Sequence, residues 1–300
     1  RERVFMKKRL LTFVCALCVV FTFPGLVYAK SDTDELTDTD TIKMYTADLE
    51  ANEELVVEIP ISSDPDVLDT EGYCPPDQIS PNIIIDDDSR IRVPDIFMQF
   101  KPASCVGVVY AEFDNADDKF GTGTLFGPND VVTAAHVLVD DNGNLADAVY
   151  FYLAVNGDIE MHTRYTARNI QVPDAFIDNR NTANDWGIFE LSNNVGNYSG
   201  YLGWTTNCSV GEHVQIYGYP DDKPDYEMWF AGDYITAVGS STINYNVDTV
   251  AGESGAAVIN SQDASNQQIV AIHRGGQTSS NIGKKVDSAL ASVLSNLRNN

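Results

Sequence analysis

From Ser104 onward the chain is a succession of short segments rich in Val, Ile, Tyr and Phe, broken by turn clusters, and that rhythm points to an antiparallel β fold. Ser104 to Phe113, Ala148 to Val155, Gly211 to Gly218, Glu227 to Val238 and Gln268 to His273 read as strands. Between them lie clusters such as Asp140-Asp141-Asn142-Gly143-Asn144 and Asp221-Asp222-Lys223-Pro224. The first has the look of a calcium loop, but its glycine is misplaced and the closing glutamate is absent, so it reads as a hairpin turn. The period changes only at the carboxy terminus. There Val286, Leu290, Val293, Leu294 and Leu297 repeat at helical spacing and predict one helix, packed by its apolar face on the second of two barrels. Residues 83–300 have the length of two small β-barrels joined as one unit.

Within this frame one turn carries chemistry. Gly252-Glu253-Ser254-Gly255 has the Gly-x-Ser-Gly form that holds a nucleophilic serine, although glycine and serine are also ordinary turn residues. Two upstream segments weight the reading toward catalysis. Gly121 to Phe126 and Val131 to Ala135 form a β-rich run ending at His136, and Asn184-Asp185 stands at the mouth of the apolar strand Trp186 to Leu191. The order His, Asp, Ser is that of chymotrypsin-like enzymes, whereas α/β-hydrolases run Ser, Asp, His and subtilisins Asp, His, Ser. Ser254 would attack the carbonyl, His136 would take and return the proton, and Asp185 would fix the imidazole tautomer. Individually a solvated histidine or a capping aspartate is the commoner role; the three together decide against it.

The chain resembles the bacterial glutamyl endopeptidases, secreted serine proteases with two six-stranded antiparallel barrels and a C-terminal helix. The resemblance covers Gly121 to His136, Asp185 to Leu191, Gly218-Tyr219-Pro220 with Met228-Trp229, Asp248 to Gly255, and Ile272 to Gly276. It implies an oxyanion hole from the backbone N–H groups of Gly252 and Ser254. It also implies that Thr249, His273 and the freed α-amino group of Ile83 receive a substrate glutamate carboxylate, since a buried carboxylate needs donors. Asp248 offers a rival, because a trypsin-like enzyme carries its Arg- or Lys-binding aspartate six residues before the serine. A non-catalytic secreted pseudoprotease or adhesin is the other alternative, and an intact triad speaks against it. The chain departs from the family at Glu253, at Ala256-Ala257 and at Arg274, where Asn, Gln or Asp, Ser-Pro and Trp are usual. Glu253 is a candidate partner for a new amino terminus, and Arg274 a candidate contact for acidic substrate residues.

The amino-terminal part reads as targeting and processing sequence. Met6-Lys7-Lys8-Arg9, the apolar run Leu10 to Phe23 and Val27-Tyr28-Ala29 have the order of a signal peptide, residues 1–29, and the run meets Pro24 and Gly25 too soon for a membrane anchor. Residues 30–82 are acidic and poor in aromatics, and read as a largely disordered propeptide cut after Asn82 to leave a protease domain of 83–300. A formal charge of −25 argues against nucleic-acid or anionic-membrane binding. The expected partners are polypeptide substrates and a processing protease, the expected location extracellular, and the mature form a monomer with no cofactor. Of the five cysteines only Cys105 and Cys208 would survive processing, bridged or as thiols.

Overall fold

The structure is a computed structural model that describes residues 41–70, 90–158, 163–261, 266–277 and 280–299. The signal peptide, the processing site and Ile83 lie outside these. In chain order the strands are β1 (Thr41–Asp48), β2 (Glu53–Pro60), β3 (Asp69–Thr70), β4 (Ile91–Arg92), β5 (Val106–Glu112), β6 (Lys119–Leu125), β7 (Asp130–Thr133), β8 (Ala148–Leu153), β9 (Arg164–Pro173) and β10 (Gly187–Leu191). They continue as β11 (Gly203–Thr205), β12 (His213–Gly218), β13 (Trp229–Val238), β14 (Thr242–Tyr245), β15 (Ala257–Asn260), β16 (Gln268–Gln277) and β17 (Ser280–Lys285).

Two closed barrels result. β5 to β10 form the first, in the order β10-β7-β6-β5-β8-β9, and β10 closes it by pairing with β9. β12 to β17 form the second, in the order β15-β12-β13-β14-β17-β16, and β15 closes it on β16. Closure removes the open edges that would otherwise invite aggregation. In the first barrel Gly107 and Gly123 face each other across β5 and β6; the Phe151 ring fills the space a side chain at Gly107 would need, and Val131 and Val109 that at Gly123. Phe151 in turn meets Phe189 edge to face at 5.9 Å. The strands predicted from alternation all form, and Asp140 caps its hairpin by accepting from the Asn142 and Asn144 backbone N–H groups.

Three expectations need correction or completion. Residues 41–70, read as part of a largely disordered propeptide, are ordered: β1 and β2 form a hairpin, and β1 adds to β9 while β3 adds to β11. Acidic composition misled because the hairpin does not need a core of its own; Met44 and Ile59 are buried against the barrel. The C-terminal helix Ser288–Arg298, capped by the Asp287 carboxylate on Leu290 N–H, does not pack on the second barrel alone. Its buried residues join the cluster that holds the first barrel, and Arg298 donates to the carbonyls of Phe126 and Leu202 while stacking on Trp204. Cys105 and Cys208 form no disulfide.

Candidate active site

The site is assembled from turns at the ends of strands. After β7 the chain leaves the sheet at Ala134 and enters the short helix Ala135–Leu138, which sets His136 half-exposed at the mouth of the first barrel. Asp185 follows a single 3-10 turn, Thr182–Asn184, and is buried just ahead of β10. The two meet through three contacts. His136 Nδ1 lies 2.9 Å from Asp185 Oδ2 and 3.1 Å from Oδ1, and the His136 backbone N–H donates to Oδ1 at 3.0 Å. Burial alone would raise the Asp185 carboxyl; the hydrogen bonds and charge of His136, helped by Arg274, hold it below the usual carboxylate range. A carboxylate so held keeps a proton on Nδ1 and leaves Nε2 as the acceptor.

The serine turn comes from the second barrel and is fastened to the first. Ser254 O accepts from Thr122 N–H at 2.9 Å, and Thr122 Oγ1 donates to Gly252 O at 3.0 Å. Thr133 Oγ1 donates to Thr122 O, so β7 joins the same cluster three residues before His136. Gly255 shows how tight this junction is. With φ of +90°, a Cβ there would stand 2.1 Å from Thr133 Oγ1 and 2.7 Å from Ala134 N. These bonds fasten the turn that carries Ser254 to β6, and through Thr133 to the strand that leads into His136.

Gly252 has φ of +92°, and a Cβ there would fall 2.3 Å from Tyr219 O, so both conformation and space require glycine. Among the described residues neither the Gly252 nor the Ser254 N–H donates to a protein acceptor, which leaves both available to an incoming oxygen. Glu253 between them is buried. Burial pushes its carboxyl up to about 7, against the pull of Val250 N–H, which donates to Oε2 at 2.8 Å, and of Arg90.

His273, on β16, is 2 % exposed, and its backbone holds the two residues that follow the serine: Gly255 N–H donates to His273 O and His273 N–H to Ala256 O, both at 2.8 Å. Burial, with His136 and Arg274 nearby, pushes its imidazole down to about 3, so the ring is neutral. Its Nδ1 lies 2.6 Å from the hydroxyl of Tyr245, a fully buried residue on β14 whose phenol burial holds well above its ordinary value. Thr249 is half-buried beside the serine turn, while Asp248 is exposed. Arg274 turns inward: its Nε lies 3.5 Å from Asp185 Oδ2.

Several contributors were missed in the sequence. Tyr245 belongs to no local motif and reaches His273 from another strand. Thr122 and Thr133 lie within the Gly121 to His136 segment, but nothing local tells that their hydroxyls tie the serine turn to the strands. Ile83 lies outside the described residues, but the chain resumes at Arg90, whose guanidinium holds Asp222 bidentately at 2.7 and 2.8 Å.

Residues 121–272 match the profile of the trypsin-like peptidase domain. The chain is 28% identical over 212 residues to a protein named extracellular metalloprotease from Bacillus subtilis strain 168, covering 69% of this chain and 67% of that protein. It is 30% identical over 188 residues to a glutamyl endopeptidase of Bacillus licheniformis, where the match spans 59% of each. A solved Glu endopeptidase, in complex with MPD, superposes with a TM-score of 0.62 at 24% identity, over 73% of this chain and 100% of that one. The first relative's name implies a metal. Among the described residues no three His, Cys, Asp or Glu side chains are grouped to hold one.

Proposed function

The chain belongs to the trypsin-like peptidase family and is a serine endopeptidase, and from that premise we propose that it cleaves peptide bonds after glutamate, through an acyl-enzyme, once a propeptide ending near Asn82 has been cut. Ser254 attacks the scissile carbonyl as His136 Nε2 takes its proton. Asp185 stabilises the imidazolium, and the N–H groups of Gly252 and Ser254 receive the oxyanion. The proton then passes to the leaving amine, and water repeats the sequence to release the acyl group.

The observation that carries the specificity is the His273 and Tyr245 pair. A neutral imidazole has one donor and one acceptor nitrogen. With Tyr245 O–H donating to Nδ1, Nε2 carries the hydrogen and serves a carboxylate, with Thr249 as a second hydroxyl donor. The exposed Asp248 does not offer the buried anion that an Arg or Lys pocket needs. The anchored Arg90 supports an amino-terminal arm that starts near the site, with Ile83 or Glu253 as the end point of its ammonium. Export by the signal peptide belongs to the same reading.

Peptides that differ only in Glu, Asp, Arg or Phe before the scissile bond test it. Fastest turnover at Glu is expected; faster cleavage after Arg would sink the glutamyl reading and promote Asp248. A fluorophosphonate should label Ser254 of the processed protein, and an unlabelled, folded product would falsify the assigned nucleophile. Extending the chain by a few residues ahead of Ile83 should lower activity, and unchanged turnover would remove the amino terminus from the mechanism.

A further inference from the structure

We infer that residues 41–70 remain bound after processing, as a small non-covalent second chain, and that activation does not proceed by their departure. The inference rests on the proposed cut near Asn82. It is carried by the way this segment completes both barrels while leaving the catalytic residues alone.

On the first barrel, β9 is longer than its neighbours can cover. β8 pairs with its residues 164–166, β10 occupies the opposite edge at residues 167–171, and the remaining edge at 169–173 is taken by β1. Thr46 lies opposite Gln171 and Ala47 opposite Ile170, and Leu49 N–H donates to Arg168 O at 2.9 Å. Without β1 that edge would stand open. Met44, fully buried, and Ile59, 4 % exposed, lie in the same apolar cluster as Ile170 and Val172.

On the second barrel the mature part holds buried polar groups whose partners come from the segment. Trp204, 1 % exposed, donates its indole N–H to Val67 O at 2.9 Å. Gln268, 5 % exposed, donates through Nε2 to Thr70 O at 3.1 Å and to Asp69 Oδ1, besides Trp204 O of the mature part at 3.2 Å. Thr206 N–H donates to Leu68 O, and Ser292 Oγ on the C-terminal helix accepts from Ser62 N–H at 2.8 Å. Departure would take a partner from each of these groups and uncover the apolar surface that Met44 and Ile59 now cover, a cost that a detachable leader does not need to build in. None of these bonds reaches His136, Asp185, Ser254, Thr249 or His273. The segment is therefore a strap across the barrels rather than a plug in the cleft.

The test uses the full chain carrying Ser254→Ala, with a site-specific protease sequence inserted between Thr70 and Arg90. After cutting, gel filtration without denaturant and mass spectrometry of the peak should show the fragment at one copy per protease domain, released only by denaturant. A folded protease domain eluting without it overturns the inference. Met44→Lys with Ile59→Asp should release the fragment after the same cut; retention in that variant would also overturn it, because the burial argued here would not be holding the strap. In parallel, the denatured mass of the naturally secreted chain reads the processing itself. A product uncut between residues 70 and 90 would sink the processing reading, while the inserted site still decides retention.

Discussion

The hydroxyl of Tyr245 and Nδ1 of His273 form a 2.6 Å hydrogen bond between two side chains that are both buried, one on β14 and the other on β16. Neither partner is charged, because burial keeps the phenol protonated and the imidazole neutral. When the phenol donates, the bond fixes the hydrogen on Nε2 and adds no charge. Under the proposed glutamate specificity, a neutral donor avoids the cost of burying a cation when the pocket is empty.

Tyr245→Phe keeps the ring volume and removes the donor. Nδ1 is then free to carry the hydrogen, and Nε2–H is no longer enforced. The loss should be about tenfold in kcat/KM for Glu peptides, the equivalent of one hydrogen bond of roughly 1.4 kcal/mol. Hydrolysis of a small nonspecific ester should change little. Equal losses on both substrates would make Tyr245 a packing residue only.

Arg274 shares Asp185 with the His136 imidazole, its Nε 3.5 Å from the oxygen that faces His136 Nδ1. Its side chain is 21% exposed, so solvent screens the pair only in part. Arg274→Gln should remove one of the charges that hold the Asp185 carboxyl low, raise the pH at which that carboxylate is lost, and so move the acid limb of the kcat/KM profile to higher pH. An unmoved limb, with normal peptide turnover, would mean that the ion pair is fully screened.

The three candidate catalytic residues could be named because each sits in a local signature: the Ala-Ala-His turn after a strand, the aspartate before an apolar strand, and the Gly-x-Ser-Gly turn; of their mutual contacts the structure gives that of His136 with Asp185. The barrels were legible through alternation. What stayed hidden depends on contacts between elements remote in sequence. The β1 and β2 hairpin was masked by Glu and Asp residues that face solvent, while its few inward residues, Met44 and Ile59, take their core from β9 and its neighbours. Arg274 read as a substrate contact because nothing in Ile272 to Gly276 tells that its side chain folds back onto Asp185. The helix at the carboxy terminus was seen as a helix, but its apolar face alone could not say which barrel it would meet.

Gly255 lies where the barrels interlock, and its replacement tests that junction. Gly255→Ala would put Cβ against Thr122 O at 2.3 Å and Ala134 N at 2.7 Å, both backbone atoms, at a φ that alanine rarely adopts. Relief requires moving the serine turn away from β6 and β7. Activity should fall by at least a hundredfold, with a stability loss of about 2 kcal/mol or more. Near-normal turnover with an unchanged urea midpoint would show that the junction is looser than these distances require.

Asp130 offers a pH test away from the catalytic residues. It is 3 % exposed on β7, and burial, with the charge of Glu190, pushes its carboxyl up to about 7, against the smaller pull of Arg298 and Arg168. The folded value lies above the unfolded one of about 4, so the native state binds this proton more tightly. Its contribution is thus fully present below pH 4, declines as pH rises to about 7, and is level beyond that. Asp130→Asn keeps a neutral group of similar size and removes the decline. In a Ser254→Ala background, which prevents self-digestion, the variant should match its parent in urea at pH 4 and exceed it at pH 8 by a few kcal/mol, about 4 at most. Glu253, also pushed up to about 7, keeps some decline in both proteins, so the informative quantity is the difference between them. A difference that stays constant from pH 4 to pH 8 would mean that Asp130 ionises in the folded protein as freely as in the unfolded chain.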